Sequence, residues 1–156
     1  NLFTAHPEAR ALFEGTDMKS QRVALIGMID AAVQNVDNAD VLVPTLEALG
    51  VRHAGYGCIE VHYDFVGEAL ILTLSQGLGE AFTPDVKAAW VAVYGVIKSV
   101  MYKAQQTPEG KRKFAAYQER QAAKAAKCSS CTCNYVVIGV VAVVAAIGVY
   151  KLVKKN

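Results

Sequence analysis

The sequence predicts an all-α domain, followed by a charged spacer helix and an apolar C-terminal helix. Three observations carry that prediction. Apolar residues recur at three- and four-residue spacings, as in Val23, Leu25, Ile26, Ile29, Ala32 and Val33, and so form a stripe along a helix. Between Phe13 and Gln106 no stretch alternates polar and apolar residues for long, so nothing there reads as a half-buried strand. Helix-start signals recur at Thr16-Asp17, Asp40, Thr83-Pro84-Asp85 and Thr107-Pro108-Glu109.

The elements follow in order. Asn1–Phe13 reads as the end of one helix and a short turn, with Pro7 and Glu8 suited to a helix start because proline's fixed φ and missing N–H fit a first turn. Thr16-Asp17 caps a helix running to about Asn35. On it Gln21 and Leu25 are four apart and share a face. Asp40 is expected to cap the next helix, Val41–His53, with Pro44 tolerated in its first turn and Gly55 and Gly57 ending it. Glu60 to about Leu78 is long and mostly apolar, and its Val66, Leu70 and Leu74 can line a pocket. Thr83-Pro84-Asp85 opens a helix to roughly Gln106 that carries Trp90, Val93, Tyr94, Ile97, Val100 and Met101 inward. Thr107-Pro108-Glu109 then starts an Ala-, Lys- and Gln-rich helix, a semi-rigid spacer from which Phe114 and Tyr117 could pack back.

A chain of 156 residues fits one domain of about 100 residues plus an appendage. The net charge of +2 gives no reason to expect nucleic acid as a partner. The hydrophobic fraction, 53%, is raised by the C-terminal run. Cys128, Cys131 and Cys133 crowd together just before that run. No second Cys or His pair lies near enough for zinc, and no thioredoxin-like pattern surrounds the CxxC. Two readings stay open: reversible S-acylation, or small unmodified residues at a membrane boundary.

His53 stands near the middle of the stretch Pro44–Leu74, with Gln21 thirty-two residues before it and Tyr63 ten residues after. A histidine on a helix facing an apolar pocket can offer a neutral imidazole nitrogen to iron. The ordered set Phe13, Gln21, Leu25, His53, Tyr63, Val66 and the later Trp90-Val-Ala-Val-Tyr-Gly resembles the bacterial globins, closest in look to the haem domain of flavohaemoglobins and to single-domain bacterial haemoglobins. The resemblance spans about residues 1–106. It implies a globin fold, haem b as cofactor and His53 as the iron ligand. It also implies Gln21 and Leu25 on the opposite side of the haem, where an amide can donate to a polar diatomic ligand and a leucine can exclude water. Phe13 is then a haem-packing aromatic rather than simple core, and Val66 and Leu70 are secondary haem contacts, with generic core packing the competing reading. The resembling globins have two further helices before this point, the second carrying a tyrosine that faces the ligand. The chain, which starts at Asn1 rather than Met, is therefore expected to be an N-terminally truncated globin.

In flavohaemoglobins the proximal histidine is hydrogen-bonded to a tyrosine and a glutamate that push electron density onto it. Tyr63 falls on the tyrosine position and Gln105 on the glutamate's, so the resemblance implies a weaker push here. Two function classes remain. One is a binding protein taking O2 and NO reversibly at a five-coordinate iron. The other is a nitric oxide dioxygenase that uses a separate NAD(P)H reductase, since no flavin- and nicotinamide-binding pattern follows Gln106.

The division expected is a globin domain over residues 1–106, a spacer with the Cys cluster over 107–134, and an anchor over 135–153. YVVIGVVAVVAAIGVY is sixteen residues without a charge, about 24 Å of helix, and with Lys151 snorkelling it extends through Val153. Tyr135 and Tyr150 stand at its two ends, where interfacial aromatics belong. A buried core helix of that length competes with a single transmembrane tail anchor holding the globin on the cytosolic side. The anchor is favoured because the run follows a charged spacer.

Overall fold

A computed structural model describes residues 1–129 of the chain. Those residues are helical, with no strand among them. In order they form α1 (Leu2–Ala5), a 3-10 turn (Pro7–Phe13), α2 (Met18–Gln34), α3 (Ala39–Ala54), α4 (Glu60–Leu78), a short 3-10 turn (Gly79–Ala81), α5 (Pro84–Gln105) and α6 (Pro108–Ser129). Asn1–Tyr117 form one compact unit, and Gln118 begins a second, described here only as the last part of α6. Among the described residues no helix is long and apolar enough to cross a membrane. The expected anchor, Tyr135–Val153, together with Cys131 and Cys133, lies outside the described residues.

Several start signals act as the sequence indicates. The Asp17 carboxylate accepts from the Lys19 N–H at 3.0 Å and from the Ser20 hydroxyl at 2.6 Å, satisfying donors that the first turn of α2 leaves over. Those two bonds, the serine's first, hold the Asp17 carboxyl below its ordinary value. The Thr83 hydroxyl oxygen accepts from the Val86 N–H at 3.3 Å, with Pro84 in the first helical position of α5.

α3 differs from expectation at its start. It begins at Ala39 rather than Val41, because the Asn38 carbonyl already accepts from the N–H groups of Val41 and Leu42 at 3.2 and 3.0 Å. Asp40 therefore sits inside the first turn, where its charge favours the positive helix end, and is not the cap. Pro44 consequently lies inside the helix, where it removes one backbone bond.

The core lies where α3, α4 and α5 meet. Leu46, Tyr63 and Met101 are its buried members, packed by Leu42, Leu49, Ile97, Val100 and Tyr102. Leu46 is only 1% exposed, a burial that contributes about 2 kcal/mol and offsets much of the proline's cost in the same helix. α3 and α5 approach closely at Gly50, where a Cβ would collide with the Met101 backbone. α4 and α5 are joined by Lys98, whose ammonium donates to Asp64 at 2.6 Å and lies 3.7 Å from Glu60. The α5 residues expected to face inward do so: Trp90, Val93, Tyr94, Ile97 and Val100 are half-buried and Met101 is buried.

The N-terminal segment lies on α4. The His6 ring stacks flat on Phe65 at 3.9 Å, its Nε2 hydrogen-bonds to Glu68 at 2.9 Å, and the Asn1 amide donates to Thr73 and Gln76. α2, by contrast, does not share in the tight packing. Much of its apolar stripe faces out: Val23 is 69% exposed, Ile26 64% and Leu25 45%, while Ala32 is buried.

Candidate functional site

His53 occupies the last turn of α3. Its Nδ1 lies 2.9 Å from the Leu49 carbonyl oxygen one turn back. A carbonyl only accepts, so Nδ1 carries the hydrogen and donates it. The remaining ring nitrogen, Nε2, then holds a lone pair and has no hydrogen bond to any described residue. Burial is the largest influence on the imidazole and pushes its pKa below the ordinary value. The Leu49 bond opposes that shift and the nearby Arg52 charge adds to it. A neutral imidazole with an oriented ring and an available Nε2 is the form that binds a metal.

Two elements set that histidine in place. The corner that ends α3 turns through Gly57, whose φ of 82° suits a glycine, and the Cys58 N–H donates back to the His53 carbonyl at 3.1 Å. The Tyr117 ring of α6 lies over Gly57 so closely that a Cβ there would collide with it. Tyr117 thus packs back on the domain, as the sequence allowed.

From α4 comes Tyr63, four residues into the helix and 6% exposed. Its ring lies near-parallel to the His53 ring, 5.9 Å between centroids and 26° between planes. Its hydroxyl oxygen accepts a 2.7 Å bond from the Gln105 amide of α5, itself 6% exposed. Its backbone carbonyl accepts a 2.6 Å bond from the Tyr94 hydroxyl. Burial, the largest cause for each, raises both phenols above their ordinary pKa, so both stay protonated. Cys58, half-buried beside Tyr63, is pushed up to about 11 by burial and is a neutral thiol.

The structure therefore brings His53, Tyr63 and Gln105 together. The other expected residues lie elsewhere. Gln21 and Leu25 are exposed on α2. Phe13 is half-buried and meets Phe3 edge-on at 5.3 Å. Val66 and Leu70 are half-buried along α4. Leu49 was not singled out in the sequence: its part is played by a backbone carbonyl, which leaves no signature in residue type. A groove of about 740 Å³ between α4 and α5 is lined by none of the residues expected to contact haem. Asp64, Glu68, Lys87 and Lys98 charge its walls, so it does not suit the same apolar chemistry.

The family model described as Globin matches residues 1–101. Among curated proteins, the flavohemoprotein of Bacillus subtilis is 37% identical over 98 residues, which is 62% of this chain and 25% of that protein. The flavohemoprotein of Halalkalibacterium halodurans is 32% identical over 126 residues, 74% of this chain and 31% of the relative. That of Vibrio cholerae is 32% identical over 124 residues, 78% and 29% respectively. The chain thus spans between a quarter and a third of the length of the curated relatives it matches.

Proposed function

The chain belongs to the globin family and is a haem-binding globin, and from that premise we propose that it binds O2 and NO reversibly at a haem held by His53. The residues fit such a group. The Nε2 lone pair is available, and among the described residues Val23, Leu25, Ile26 and Val33 of α2 are exposed. Exposed apolar surface of this kind is what a flat, apolar cofactor would cover.

When bound, haem would supply an iron able to take a diatomic ligand. The protein's own groups do the rest. His53 would hold the iron through its Nε2 lone pair, with the Leu49 carbonyl orienting the ring. Tyr63 packs along the imidazole. Gln21 is assigned to donate its amide to a polar ligand, and Leu25 to exclude water beside it. Phe13, Val66 and Leu70 are assigned as apolar contacts to the porphyrin.

The observation that carries the binding reading is that, among the described residues, no negatively charged group is hydrogen-bonded to His53 or stacked on its ring. Its hydrogen-bond partner is the Leu49 carbonyl, and the protonated Tyr63 that lies on its ring takes a bond from the neutral Gln105 amide. Without a negative charge against the imidazole, the push toward oxygen activation is weak and reversible binding is favoured. The relatives' name, flavohemoprotein, favours a second reading. In that reading the protein converts NO and O2 to nitrate, with one electron per turnover from a separate NAD(P)H reductase.

The C-terminal run Tyr135–Val153 belongs to the proposal as a membrane tether, with Cys128, Cys131 and Cys133 at the membrane face available for acylation. To separate the readings, the full chain is titrated with haem and assayed for O2 dissociation and for steady NO consumption with NAD(P)H and a generic reductase. A reversible oxygen spectrum with slow NO turnover supports the binder. Sustained NO consumption at the rate of a reductase-fused flavohaemoglobin overturns it in favour of the enzyme.

A further inference from the structure

Charge is unevenly spread over the compact unit Asn1–Tyr117, which holds thirteen Asp or Glu and ten Lys or Arg. Five of those cations, Arg52, Lys103, Lys111, Arg112 and Lys113, fall in residues 49–58 and 103–117, accompanied by one acid, Glu109. The rest of the unit is left with five cations and twelve acids. The two basic segments meet at one end of the domain. Gly110 is buried against the Ala104 and Gln105 carbonyls that end α5, where a Cβ would collide. A Cβ at Gly55 would stand 3.9 Å from that of Lys113, one turn before Tyr117 lies over Gly57. All five cations are exposed.

Helix ends account for two of them. Arg52 and Lys103 stand in the last turns of α3 and α5, where a cation favours the negative end of the helix. Lys111, Arg112 and Lys113 follow the start of α6, the positive end, where cations add nothing to helix stability. Arg112 lies 4.0 Å from Glu109, an exposed pair that contributes little, and Lys111 and Lys113 form no ion pair among the described residues. Beside these cations is Tyr56, 56% exposed in the corner that follows α3. Its ring also meets the His53 ring, 5.7 Å between centroids. One aromatic side chain thus reaches both solvent and the histidine.

We propose that this end of the domain docks an acidic one-electron donor protein, with Arg52, Lys111 and Lys113 meeting its carboxylates and Tyr56 its redox-active face. The proposal rests on the reading of His53 as the haem ligand. The step is an electron transfer: the donor's reduced flavin loses one electron and ferric iron gains it, with no bond made or broken at the iron. Ferric iron does not take O2, so such a donor serves a reversible binder as well as a dioxygenase. The acids elsewhere on the unit repel the same partner, so charge both attracts and orients it. An anionic lipid surface would be drawn by the same cations, but it would have no use for an exposed aromatic in contact with the histidine.

The test uses the full chain and, as probe, a flavodoxin, a small acidic flavoprotein. Reduction of the ferric haem protein by the reduced probe is followed at low and high salt, and binding of the oxidised probe is titrated with and without haem. Lys111→Glu/Lys113→Glu is expected to lower the low-salt reduction rate roughly tenfold and to weaken binding in step. Tyr56→Ala is expected to weaken both several-fold. Lys87→Glu, about 27 Å along α5 from Gln105, is expected to leave both within about twofold of the parent. A small neutral reductant should act on all variants alike. Reduction that is independent of salt, or a Lys87→Glu loss equal to that of the paired variant, overturns the proposal. So does a paired variant that loses binding to vesicles of anionic lipid while keeping the flavodoxin, which would make the surface a membrane contact. Failure of the parent to take up haem would count against His53 as ligand, and binding of the oxidised probe to the haem-free chain would still decide the surface.

Discussion

The His53 imidazole donates from Nδ1 to the Leu49 carbonyl at 2.9 Å, within its own helix. That bond uses the second lone pair of a carbonyl one turn back in α3, and so orients the ring without any further side chain. It also selects the tautomer. Replacing His53 by Ala is therefore expected to abolish the Soret band of the full chain, or to leave haem that exchanges freely into apomyoglobin. His62→Ala should keep it, because His62 lies on α4 and its Nδ1 faces the Ile59 N–H. Haem loss in His62→Ala with retention in His53→Ala would refute the axial assignment.

The all-α class was legible because helix starts depend on local chemistry: Asp17, Thr83 and Thr107 each accept a bond from a nearby backbone N–H where their sequence context predicts one. The start of α3 was less legible, because Asn38 begins the helix through its carbonyl and makes no side-chain cap. Within the site, Tyr63 and Gln105 could be named from family spacing. Their hydrogen bond joins residues 42 apart in sequence and depends on how α4 packs on α5, which spacing does not encode. Nor could spacing show that α2 would leave Val23 and Ile26 exposed, since an apolar stripe is written the same way whether protein or cofactor covers it.

Acid should weaken the start of α4. The His62 Nδ1 accepts from the Ile59 N–H at 3.2 Å, which requires a lone pair that protonation removes. Burial lowers the His62 pKa, and the nearby Glu8 charge partly restores it. Because the folded-state value lies below that of the unfolded chain, the unfolded state takes up its proton first. Stability is then full above about pH 6.5 and declines as the pH falls through the folded value. The imidazole is largely solvated, so the effect should be under about 1 kcal/mol. Thermal melts between pH 7.5 and 5.5 should fall more steeply for the parent than for His62→Gln. Parallel curves would remove His62 from this role.

Gly57→Ala should destabilise the domain by about 2 kcal/mol. Alanine at a φ of 82° is strained, and its Cβ would also strike the Tyr117 ring. Because Gly57 lies in the corner that follows His53, haem dissociation should quicken in step with the loss of stability. Adding Tyr117→Ala should relieve the collision but not the backbone strain, so the double variant should lose less than the sum of the single changes. A melting temperature equal to the parent's for Gly57→Ala would show that the corner can rearrange.

Gln21 is exposed on α2, free of the core, so its substitution should leave the fold intact and act on the ligand. Gln21→Leu removes one donor to a polar ligand, worth about 1 kcal/mol, and should speed O2 dissociation roughly fivefold while leaving CO, the less polar ligand, much less affected. Stopped-flow displacement on the full chain measures both. An unchanged O2 off-rate would take Gln21 out of the ligand site.

The last expectation concerns the C-terminal run, Tyr135–Val153. Sixteen consecutive uncharged residues from Tyr135 to Tyr150 gain far more by leaving water than the one following lysine costs, since Lys151 can reach the interface with its own chain. With the segment in a membrane, the globin is expected on the cytosolic face, where Cys128, Cys131 and Cys133 would meet acylation. Charge does not decide the orientation, because Lys124 and Lys127 on one side oppose Lys151, Lys154 and Lys155 on the other. Cells expressing the full chain, or a version ending at Asn134, should be fractionated, extracted with carbonate and treated with protease in sealed vesicles. The full chain should stay with the membrane and its globin should be digested, while the truncated form should be soluble. Carbonate release of the full chain would end the anchor reading, and a protected globin would reverse its orientation.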